Sequence, residues 1–402
     1  MRVSSTRAAL AATAPRSNAA RSGRTQRCAI STRVTDLFGC EHPVVLPGMS
    51  WISTPPLVAA VSNAGGLGIL ATGPLTADET RASIREIRSL TTKPFGVGAT
   101  LLMPGASENA AVALEEEVPV LNVSLGRADW IRNGLDAYGG KLLSTVTNRK
   151  HAASAVDAGA DALMVTGHEA AAHGGAVTSL VLVPSLAEAF PSVPLVAAGG
   201  FANGRGLNAA LSLGADAIAM GTRLAVTRES PLASRTKDAI VGAGESQTIY
   251  GKNFDGIPAR VLRTPTAEKL MGSRPWLPVV AARALAASRQ MGIPLWKVLP
   301  GLLTDFSKVF TLAQFGAATE ALRAATISGD VEDGVQFVGQ CQGLIREVPT
   351  VEELVQRILA ESAIAHDEQV RTFRRDGSSA SSSSSSEPHG GSGGDQATRT
   401  AA

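Results

Sequence analysis

The most polar cluster in the chain surrounds two histidines, His168 and His173, in the segment T-G-H-E-A-A-A-H-G-G (166–175). Imidazole exchanges protons near neutral pH, and glycines beside it open the backbone to a substrate. The segment therefore predicts either a general base or histidines that only hydrogen-bond the backbone. Glu169 could orient one of the rings or face the solvent. Because histidines five residues apart on a helix point about 140° away from each other, we expect no zinc site on one helix face.

Two glycine clusters follow later apolar runs: A-G-G-F-A-N-G (198–204) and M-G-T-R (220–223). Glycine lets the backbone approach an anion closely, and the helix expected after Gly200 would point its free N–H groups at that anion. Each glycine taken alone could simply turn a strand into a helix. The two clusters together favour a phosphate-binding site. Neither G-x-G-x-x-G after a strand nor G-x-x-x-x-G-K-[ST] occurs, so a Rossmann or Walker loop is not expected.

The elements that must position these residues follow a regular rhythm. Eight short apolar runs begin near Val44, Leu67, Phe95, Val118, Leu142, Ala162, Leu195 and Ala217. Most gaps contain a helical pattern closed by glycine, as in Ala77 to Leu90, where Asp78 or Thr80 can cap the first turn. Short, near-continuous apolar runs are typical of parallel strands that are buried on both faces.

Eight strand and helix units of about 25 residues each predict an α/β fold, a (β/α)8 TIM barrel, better than an open doubly wound sheet. We expect residues 36–245 to form this barrel core. Active-site groups should then lie after the strands, with phosphate bound after the seventh and eighth. Residues 246–370 break the rhythm, and helical patterns at Pro278 to Met291 and Ala313 to Ser328 predict an appended helical region on the barrel mouth.

We expect both ends of the chain to lie outside the fold. Residues 1–35 contain seven arginines and no acidic residue, which is typical of an organelle transit peptide. Their Ser, Thr and Ala content favours a plastid, that is a chloroplast, over a mitochondrion, and a disordered basic leader is the alternative. Residues 371–402 include six consecutive serines and are expected to be a disordered tail, because they are too polar to offset the entropy of folding.

Composition excludes several classes of protein. The 402 residues are 44% apolar and 18% charged with a net charge of +2, so we expect a globular protein without a nucleic-acid surface. No apolar run is long enough to predict a membrane-spanning helix. Cys28, Cys40 and Cys341 form no C-x-x-C pair, which argues against a disulfide framework and a cysteine-rich zinc site and favours inert thiols. For the four tryptophans, packing is the favoured role.

Six ordered motifs resemble those of the nitronate monooxygenase family, formerly called 2-nitropropane dioxygenases. They are P-V-V-L-P-G-M, S-N-A-G-G-L-G, K-P-F-G-V, G-H-E-A-A-A-H-G-G, P-L-V-A-A-G-G-F-A-N-G-R-G and G-A-D-A-I-A-M-G-T-R. Two later pieces, G-I-P-A-R-V-L-R (256–263) and G-D-V-E-D-G-V-Q-F-V-G-Q (329–340), extend the resemblance. The family resemblance implies a barrel that binds FMN within residues 36–245.

The resemblance also implies roles for individual residues. Flavin ring contacts fall on Pro47, Gly48 and Met49, and contacts to the phosphate and ribityl chain fall on Gly175, Gly199, Gly200, Gly221 and Thr222. Further candidates for the cofactor site at the strand ends are Gly98, Thr166, Ala219 and Met220. His173 matches the proposed base of the family, and His168 is the secondary candidate. The implied reaction oxidises a small alkyl nitronate with FMN and O2 to a carbonyl compound and nitrite.

Several positions depart from the family pattern. Pro47 and Gly48 replace the usual Ala-Pro, Gly98 replaces an asparagine, Ala219 replaces a glutamine, and Ala171 and Ala172 replace two glycines. Each change removes a polar group or adds a methyl group near the expected flavin, whereas the glycines on the phosphate side are kept. The pattern therefore favours FMN binding more strongly than it favours nitronate turnover.

Three alternatives compete with nitronate oxidation. A flavin-dependent enoyl-acyl carrier protein reductase of the FabK type would share the barrel, the FMN and the histidine loop, but would take a hydride from NAD(P)H. A flavin-binding protein with little turnover is the second. The third, an inosine-monophosphate dehydrogenase type of barrel, needs a nucleophilic cysteine near the sixth strand, and none stands there.

Overall fold

The computed structural model describes residues 30–254, 257–272 and 318–373, and its centre is a closed barrel of eight parallel strands. The strands pair in chain order, and β1 closes the barrel by pairing with β8. They are β1 Val44–Leu46, β2 Leu67–Ala71, β3 Phe95–Thr100, β4 Val120–Ser124, β5 Lys141–Val146, β6 Ala162–Thr166, β7 Leu195–Ala198 and β8 Ala217–Ala219. The predicted TIM barrel is confirmed, and the expected strand starts differ only at β4 and β5.

Helices follow the strands and surround the barrel. In the described residues they are α1 Arg33–Phe38, α2 Pro55–Asn63, α3 Ala77–Leu90, α4 Ala106–Glu115, α5 Asp129–Asp136, α6 Arg149–Asp157, α7 Ser179–Ala189, α8 Gly204–Ser212, α9 Gly221–Ala225, α10 Ser234–Val241, α11 Pro265–Gly272 and α12 Val351–Phe373. Within these ranges, no helix combines the length and the apolar character needed to cross a bilayer.

Alternation along each strand separates two apolar cores. Val45 points into the barrel, where Leu67, Val120 and Leu143 also lie, whereas Val44 and Leu46 pack outward against the helices. Both faces are therefore buried, which is why the strands read as continuous apolar runs. The predicted bounds of α3 are correct, but its cap is not Asp78 or Thr80. The hydroxyl of Thr76 accepts the N–H of Glu79, whose carboxylate accepts the N–H of Thr76 in return.

A repeated Gly-Ala-Asp triplet locks neighbouring strands together. Asp161 stands before β6, and its carboxylate accepts the N–H of Leu142 on β5 at 2.6 Å. Asp216 stands before β8 and accepts the N–H of Leu195 on β7 at 2.9 Å. Each carboxylate also pairs with an arginine, which for Asp216 is Arg33. The two triplets thus hold the amino ends of neighbouring strands together, β5 with β6 and β7 with β8.

Helix α1 closes the amino end of the barrel. Val34 and Phe38 pack into the interior core, and Arg33 is fixed by Asp216 with N–O distances of 2.7 and 2.8 Å. Residues 33–35 therefore belong to the fold, and the boundary expected at residue 35 falls inside α1. The predicted leader is otherwise residues 1–29, which lie outside the described residues, as do residues 374–402 of the predicted tail.

The region after residue 246 is not only helical. Two antiparallel strands, β9 Thr248–Gly251 and β10 Ala259–Leu262, form a hairpin. Residues 318–323 are helical and continue into a π-helical turn at Ala324–Ser328, so the helix predicted at Ala313 to Ser328 is confirmed over its described part. Helix α12 packs against α8 and α2, so it fills the place of the eighth outer helix instead of covering the mouth. The helix expected at Pro278 to Met291 lies outside the described residues.

Candidate active site

A large cavity of about 1990 Å³ opens at the carboxyl ends of the barrel strands, and strands β2 to β8 together with the loop after β1 form its wall. This is the end at which barrels carry their chemistry. The predicted site residues that line it are Pro47, Gly48, Met49, Gly98, Thr166, His173, Gly175, Gly199, Gly200, Ala219, Gly221 and Thr222. His168 and Met220 do not line it. The glycine turns after β7 and β8 therefore share one cavity with one of the two histidines.

The structure separates the two histidines. His173 lines the cavity, and its ring lies edge-on to the ring of Phe337 with 5.8 Å between centroids. His168 lies outside the lining, where its Nδ1 is 2.9 Å from the carbonyl oxygen of Gly175 and its ring contacts Tyr250 edge-on at 4.5 Å. His168 therefore holds the loop together, and His173 is the histidine that a bound molecule can reach.

Glu169 orients neither histidine. Its carboxylate accepts the backbone N–H of Ser179 at 2.9 Å and the Ser179 hydroxyl at 3.0 Å. Ser179 is the first residue of α7, so the negative charge sits at the positive end of that helix and satisfies a free N–H. The Ser179 hydroxyl also donates to the carbonyl of Gly199 at 2.8 Å. Glu169 thus couples the loops after β6 and β7.

The β9–β10 hairpin fixes the loop that carries His173. Ala172 and Arg260 exchange backbone hydrogen bonds of 3.1 and 3.0 Å, and the Arg260 guanidinium donates to the carbonyl of His168. The Tyr250 hydroxyl donates to the carbonyl of Gly174 at 3.0 Å. Burial lowers the pKa of Arg260. Sequence reasoning assigned no role to Tyr250 or Arg260, although Arg260 lies in one of the quoted family motifs.

Gly199 and Gly200 are required for different reasons. Both have left-handed backbones, with φ of 102° and 88°. A Cβ on Gly199 would lie 3.1 Å from the nitrogen of Ala170 and 3.2 Å from the carbonyl oxygen of Gly167, so packing excludes a side chain. A Cβ on Gly200 would come no closer than 3.6 Å to Glu169. Gly200 is therefore needed for its turn and for the open face that it presents to the cavity.

At the end of β8, the chain directs alternate residues to opposite sides. Ala219 belongs to the barrel interior, whereas Met220 is 1% exposed and packs in the outer core. The prediction of Met220 as a cofactor contact is thus wrong, because strand alternation turns it away from the cavity. Gly221 and Thr222 line the cavity, and the Thr222 hydroxyl accepts the N–H of Gly339 at 3.0 Å.

The amino end of α8 is not available to an anion, contrary to the expectation for the helix after Gly200. The N–H of Gly204 donates to the carboxylate of Glu361 at 2.9 Å, and the N–H of Gly206 donates to the side chain of Asn203. Glu361 comes from α12, which packs on α8. A phosphate beside this carboxylate would be repelled. The backbone N–H groups of the glycine turns remain available to donate hydrogen bonds to an anion.

The loop after β1 is held by one hydroxyl. Ser53 donates to the carbonyl of Pro47 at 2.7 Å and accepts the N–H of Met49 at 3.0 Å. Trp51 follows with a φ of 60° and lines the cavity. Sequence reasoning favoured a packing role for this tryptophan, because one aromatic residue without a periodic partner carries no signal of its position. Trp276 and Trp296 lie outside the described residues.

Gly98 lacks the amide side chain that the family pattern has at this position, but an amide side chain stands on the next strand. Gly98 on β3 pairs with Asn122 on β4, and both line the cavity. Asn122 is 7% exposed, and its amide donates to the carbonyl of Leu143 and to the hydroxyl of Thr145. A Cβ on Gly98 would lie 3.2 Å from the carbonyl of Leu70. A buried amide therefore still reaches the cavity wall, one strand from the expected place.

Buried charge lies behind the turn after β8. Arg223 is 3% exposed, and its Nη2 finds no hydrogen-bond partner in the part of the chain that the structure describes. Burial, with the positive charge of Arg357 adding to it, lowers the pKa of Arg223 to about 10. Burial also raises the pKa of the Cys341 thiol, which lines the cavity, to about 11. The described residues contain no cluster of His, Cys, Asp or Glu suited to a metal ion.

Comparison with known proteins identifies relatives of two kinds. A Mycobacterium tuberculosis protein named (3aS,4S,5R,7aS)-5-hydroxy-7a-methyl-1-oxo-octahydro-1H-indene-4-carboxyl-CoA dehydrogenase is 36% identical over 345 residues, which cover 84% of this chain and 97% of that protein. The nitronate monooxygenase of Pseudomonas aeruginosa is 31% identical over 375 residues, covering 81% of this chain and 97% of that protein.

A solved structure is also similar to this chain. FabK from Thermotoga maritima matches with a TM-score of 0.71 and 36% identity, covering 86% of this chain and all of that one. These relatives are oxidoreductases, so this chain is an enzyme of that class. The family model described as nitronate monooxygenase matches residues 31–132 and 106–361. The chain therefore belongs to the nitronate monooxygenase family.

Proposed function

We propose that the protein is an FMN-dependent oxidoreductase that converts alkyl nitronates and O2 into carbonyl compounds and nitrite, with His173 as the proton-transfer group. One observation carries this proposal: the glycine turns after β7 and β8 and the ring of His173 face one cavity at the carboxyl ends of the barrel strands. The chemistry of a barrel enzyme is concentrated at that end.

The residues present fit FMN. The open face of Gly200 and the N–H groups at Gly221 and Thr222 suit a phosphate, because all three residues line the cavity and glycine lets an anion approach the backbone closely. Pro47 and Gly48 line the cavity without a polar side chain, which suits contact with a flavin ring. When bound, FMN would supply the electron transfer to and from the substrate.

His173 would act on a proton of the substrate. Its imidazole can remove the proton from the carbon beside the nitro group, or hold a nitronate by hydrogen bonding to its oxygens. Phe337 restrains the ring from one side, and the hairpin residues fix the loop beneath it. A base held on a fixed loop keeps one orientation toward the cavity, and such fixed orientation of the reacting groups favours catalysis.

The variant His173→Ala tests this role. We expect it to retain bound FMN and to lower nitrite formation at least about a hundredfold, the usual contribution of general acid–base catalysis. Stopped-flow reduction of the flavin by nitroethane without oxygen gives the affected step directly, because the carbon beside the nitro group of nitroethane still carries the proton that His173 would remove. His366→Ala is the matched control, because that histidine is exposed on α12 and lies outside the cavity lining. Equal losses in both variants, or none in His173→Ala, would remove His173 from the mechanism.

A second candidate function is the reduction of an acyl thioester by NAD(P)H. Lys252 and Arg323 line the cavity, are exposed, and form no salt bridge within the described ranges, although Glu320 lies on the same rim. Such cations suit the phosphates of a nicotinamide cofactor or an acyl carrier. The name of one relative describes a carboxyl-CoA substrate, and the chain is 36% identical to FabK, the type of reductase that the sequence analysis gave as an alternative.

Reduction of the enzyme without oxygen separates the candidates. Rapid bleaching of the flavin by NADPH, with a KM that rises with salt and in Lys252→Ala, supports the reductase. Reduction by a nitronate, followed by nitrite release in air, supports the oxygenase. If neither donor reduces the flavin, the protein is a flavin binder with little turnover, and both proposed reactions are wrong.

A further inference from the structure

Backbone strain is concentrated at the cavity. Four non-glycine residues in the described ranges have positive φ, and three of them line the cavity: Trp51, Leu125 and Ala172. Side chains disfavour this conformation, so it persists where the surroundings enforce it and is common at functional sites. Ala172 supports the histidine loop. Trp51 follows Pro47, Gly48 and Met49, the predicted flavin contacts, whereas Leu125 lies after β4, where the sequence predicted no site.

Four apolar side chains from the loops after β1, β3 and β4 line the cavity and are here named the apolar ledge: Trp51, Leu102, Met103 and Leu125. Leu102 is 64% exposed and Leu125 is 42% exposed, although both are large aliphatic residues. Scattered exposed leucines are common on proteins, but an apolar group beside a binding cavity marks a place where a ligand is covered.

The ledge is built on fixed loops. The N–H of Leu101 donates to the carbonyl of Ser124 at 2.9 Å, which ties the loop after β3 to the loop after β4. Gly126 packs so closely on Leu101 that a Cβ there would lie 2.5 Å from the Leu101 Cβ. On the β2 side, the Thr72 hydroxyl donates to the carbonyl of Gly98 at 2.7 Å. The ledge therefore exists before any ligand arrives.

The size of the cavity calls for a ligand besides the cofactor. Its volume of about 1990 Å³ is well above the roughly 300–1,000 Å³ of an ordinary ligand site. The glycine turns and His173 occupy the half formed by β6, β7 and β8, whereas the ledge lies after β1, β3 and β4. A small nitroalkane beside His173 would leave the ledge uncovered.

We propose that the apolar ledge binds the hydrocarbon body of the substrate, an alkyl chain of about six or more carbons or a fused ring, and thereby selects long apolar substrates over small ones. The placement of the reacting carbon at His173 rests on the proposed function, but the preference for an apolar body rests on the ledge alone. Burial of each methylene group improves binding by up to about fourfold.

The test uses two readouts that fail separately. In the first, kcat/KM is measured for the nitronates of nitroethane to 1-nitrooctane, and we expect it to rise two- to fourfold per methylene group. In the second, calorimetry measures the binding of inert 1-alkanols, from propanol to nonanol, to the FMN-loaded protein. The second readout needs no turnover, so absence of nitronate activity would refute the proposed function without deciding the inference.

Variants locate the effect on the ledge. Leu102→Asp and Leu125→Ser should abolish the chain-length dependence of alkanol binding. Leu180→Asp is the matched control, because Leu180 is 69% exposed and lies outside the cavity lining. The proposal is overturned if the affinity of the wild type for alkanols does not change with chain length. It is also overturned if Leu102→Asp and Leu180→Asp change that affinity equally.

Discussion

The turn at Gly200 allows a test in which strain and ligand binding can be separated. Its φ is 88°, and a Cβ added there would make only an ordinary contact of 3.6 Å with Glu169. Gly200→Ala therefore changes backbone energy without a steric clash. A left-handed conformation costs an L-residue about 1–2 kcal/mol. Either the turn keeps its shape and the free energy of unfolding falls by that amount, or the turn rotates and its N–H groups move.

Rotation of the turn would be seen as weaker FMN binding. A loss of about 1–2 kcal/mol corresponds to a Kd that is about 5- to 30-fold higher, because 1.4 kcal/mol is a factor of ten. Gly200→Val should lose FMN more completely, since its larger side chain would extend into the cavity. The Kd is measured by the quenching of FMN fluorescence on titration with apoprotein, and the Tm is recorded for each variant.

Gly139 is the matched control. Its φ is 82°, nothing lies within 4 Å of the place where a Cβ would stand, and it lies outside the cavity lining. Gly139→Ala should lower the Tm as much as Gly200→Ala and leave the Kd for FMN unchanged. If Gly200→Val binds FMN as tightly as the wild type does, the assignment of the phosphate to the turn after β7 is refuted.

Three further predictions concern stability and reactivity. Ala172→Gly should raise the free energy of unfolding by about 0.5–1 kcal/mol, measured in urea, because it relieves a φ of 52°; an unchanged midpoint would show that no strain is stored there. Asp216→Ala should lower it by about 2–3 kcal/mol, because Leu195 loses its acceptor and Arg33 its partner; a change within error would mean that the triplet does not pin the strands. With the other two cysteines replaced by serine, Cys341 should react with iodoacetamide at pH 8 at least about 100-fold more slowly than a free thiol. Its pKa, raised to about 11, keeps it protonated, so the rate should increase with pH toward 11, and a rate that is flat above pH 9 would contradict this.

The barrel could be predicted because each of its strands is a local signal. Val44, Leu67 and Phe95 begin strands where apolar runs begin, since a strand buried on both faces needs no polar residue. The glycine turns could be located for the same reason, because they follow those runs directly. In the site, the sequence pattern thus predicted which loops surround the cavity.

Roles that depend on distant contacts could not be predicted. His168 and His173 lie in the same loop, and what separates them is Tyr250 on one side and Phe337 on the other. The N–H of Gly204 looked free for an anion, but it is taken by Glu361, 157 residues away. No local pattern contains such partners. Both roles depend on contacts from the segment after residue 246, which lies outside the barrel core that the sequence predicted.

The segment after residue 246 shows how one barrel fold can bind the same cofactor and accept different substrates. The hairpin and the residues around Gly339 contact the loops after β6 and β8, so they stabilise the half of the cavity that holds the base and the glycine turns. The apolar ledge is built from the loops after β1, β3 and β4, which are tied to each other instead. Substitutions at Leu102 or Leu125 can therefore alter what the cavity accepts without moving His173. Relatives of this chain have names as different as a CoA dehydrogenase and a nitronate monooxygenase, so the reaction has to be argued from the site and not from the fold.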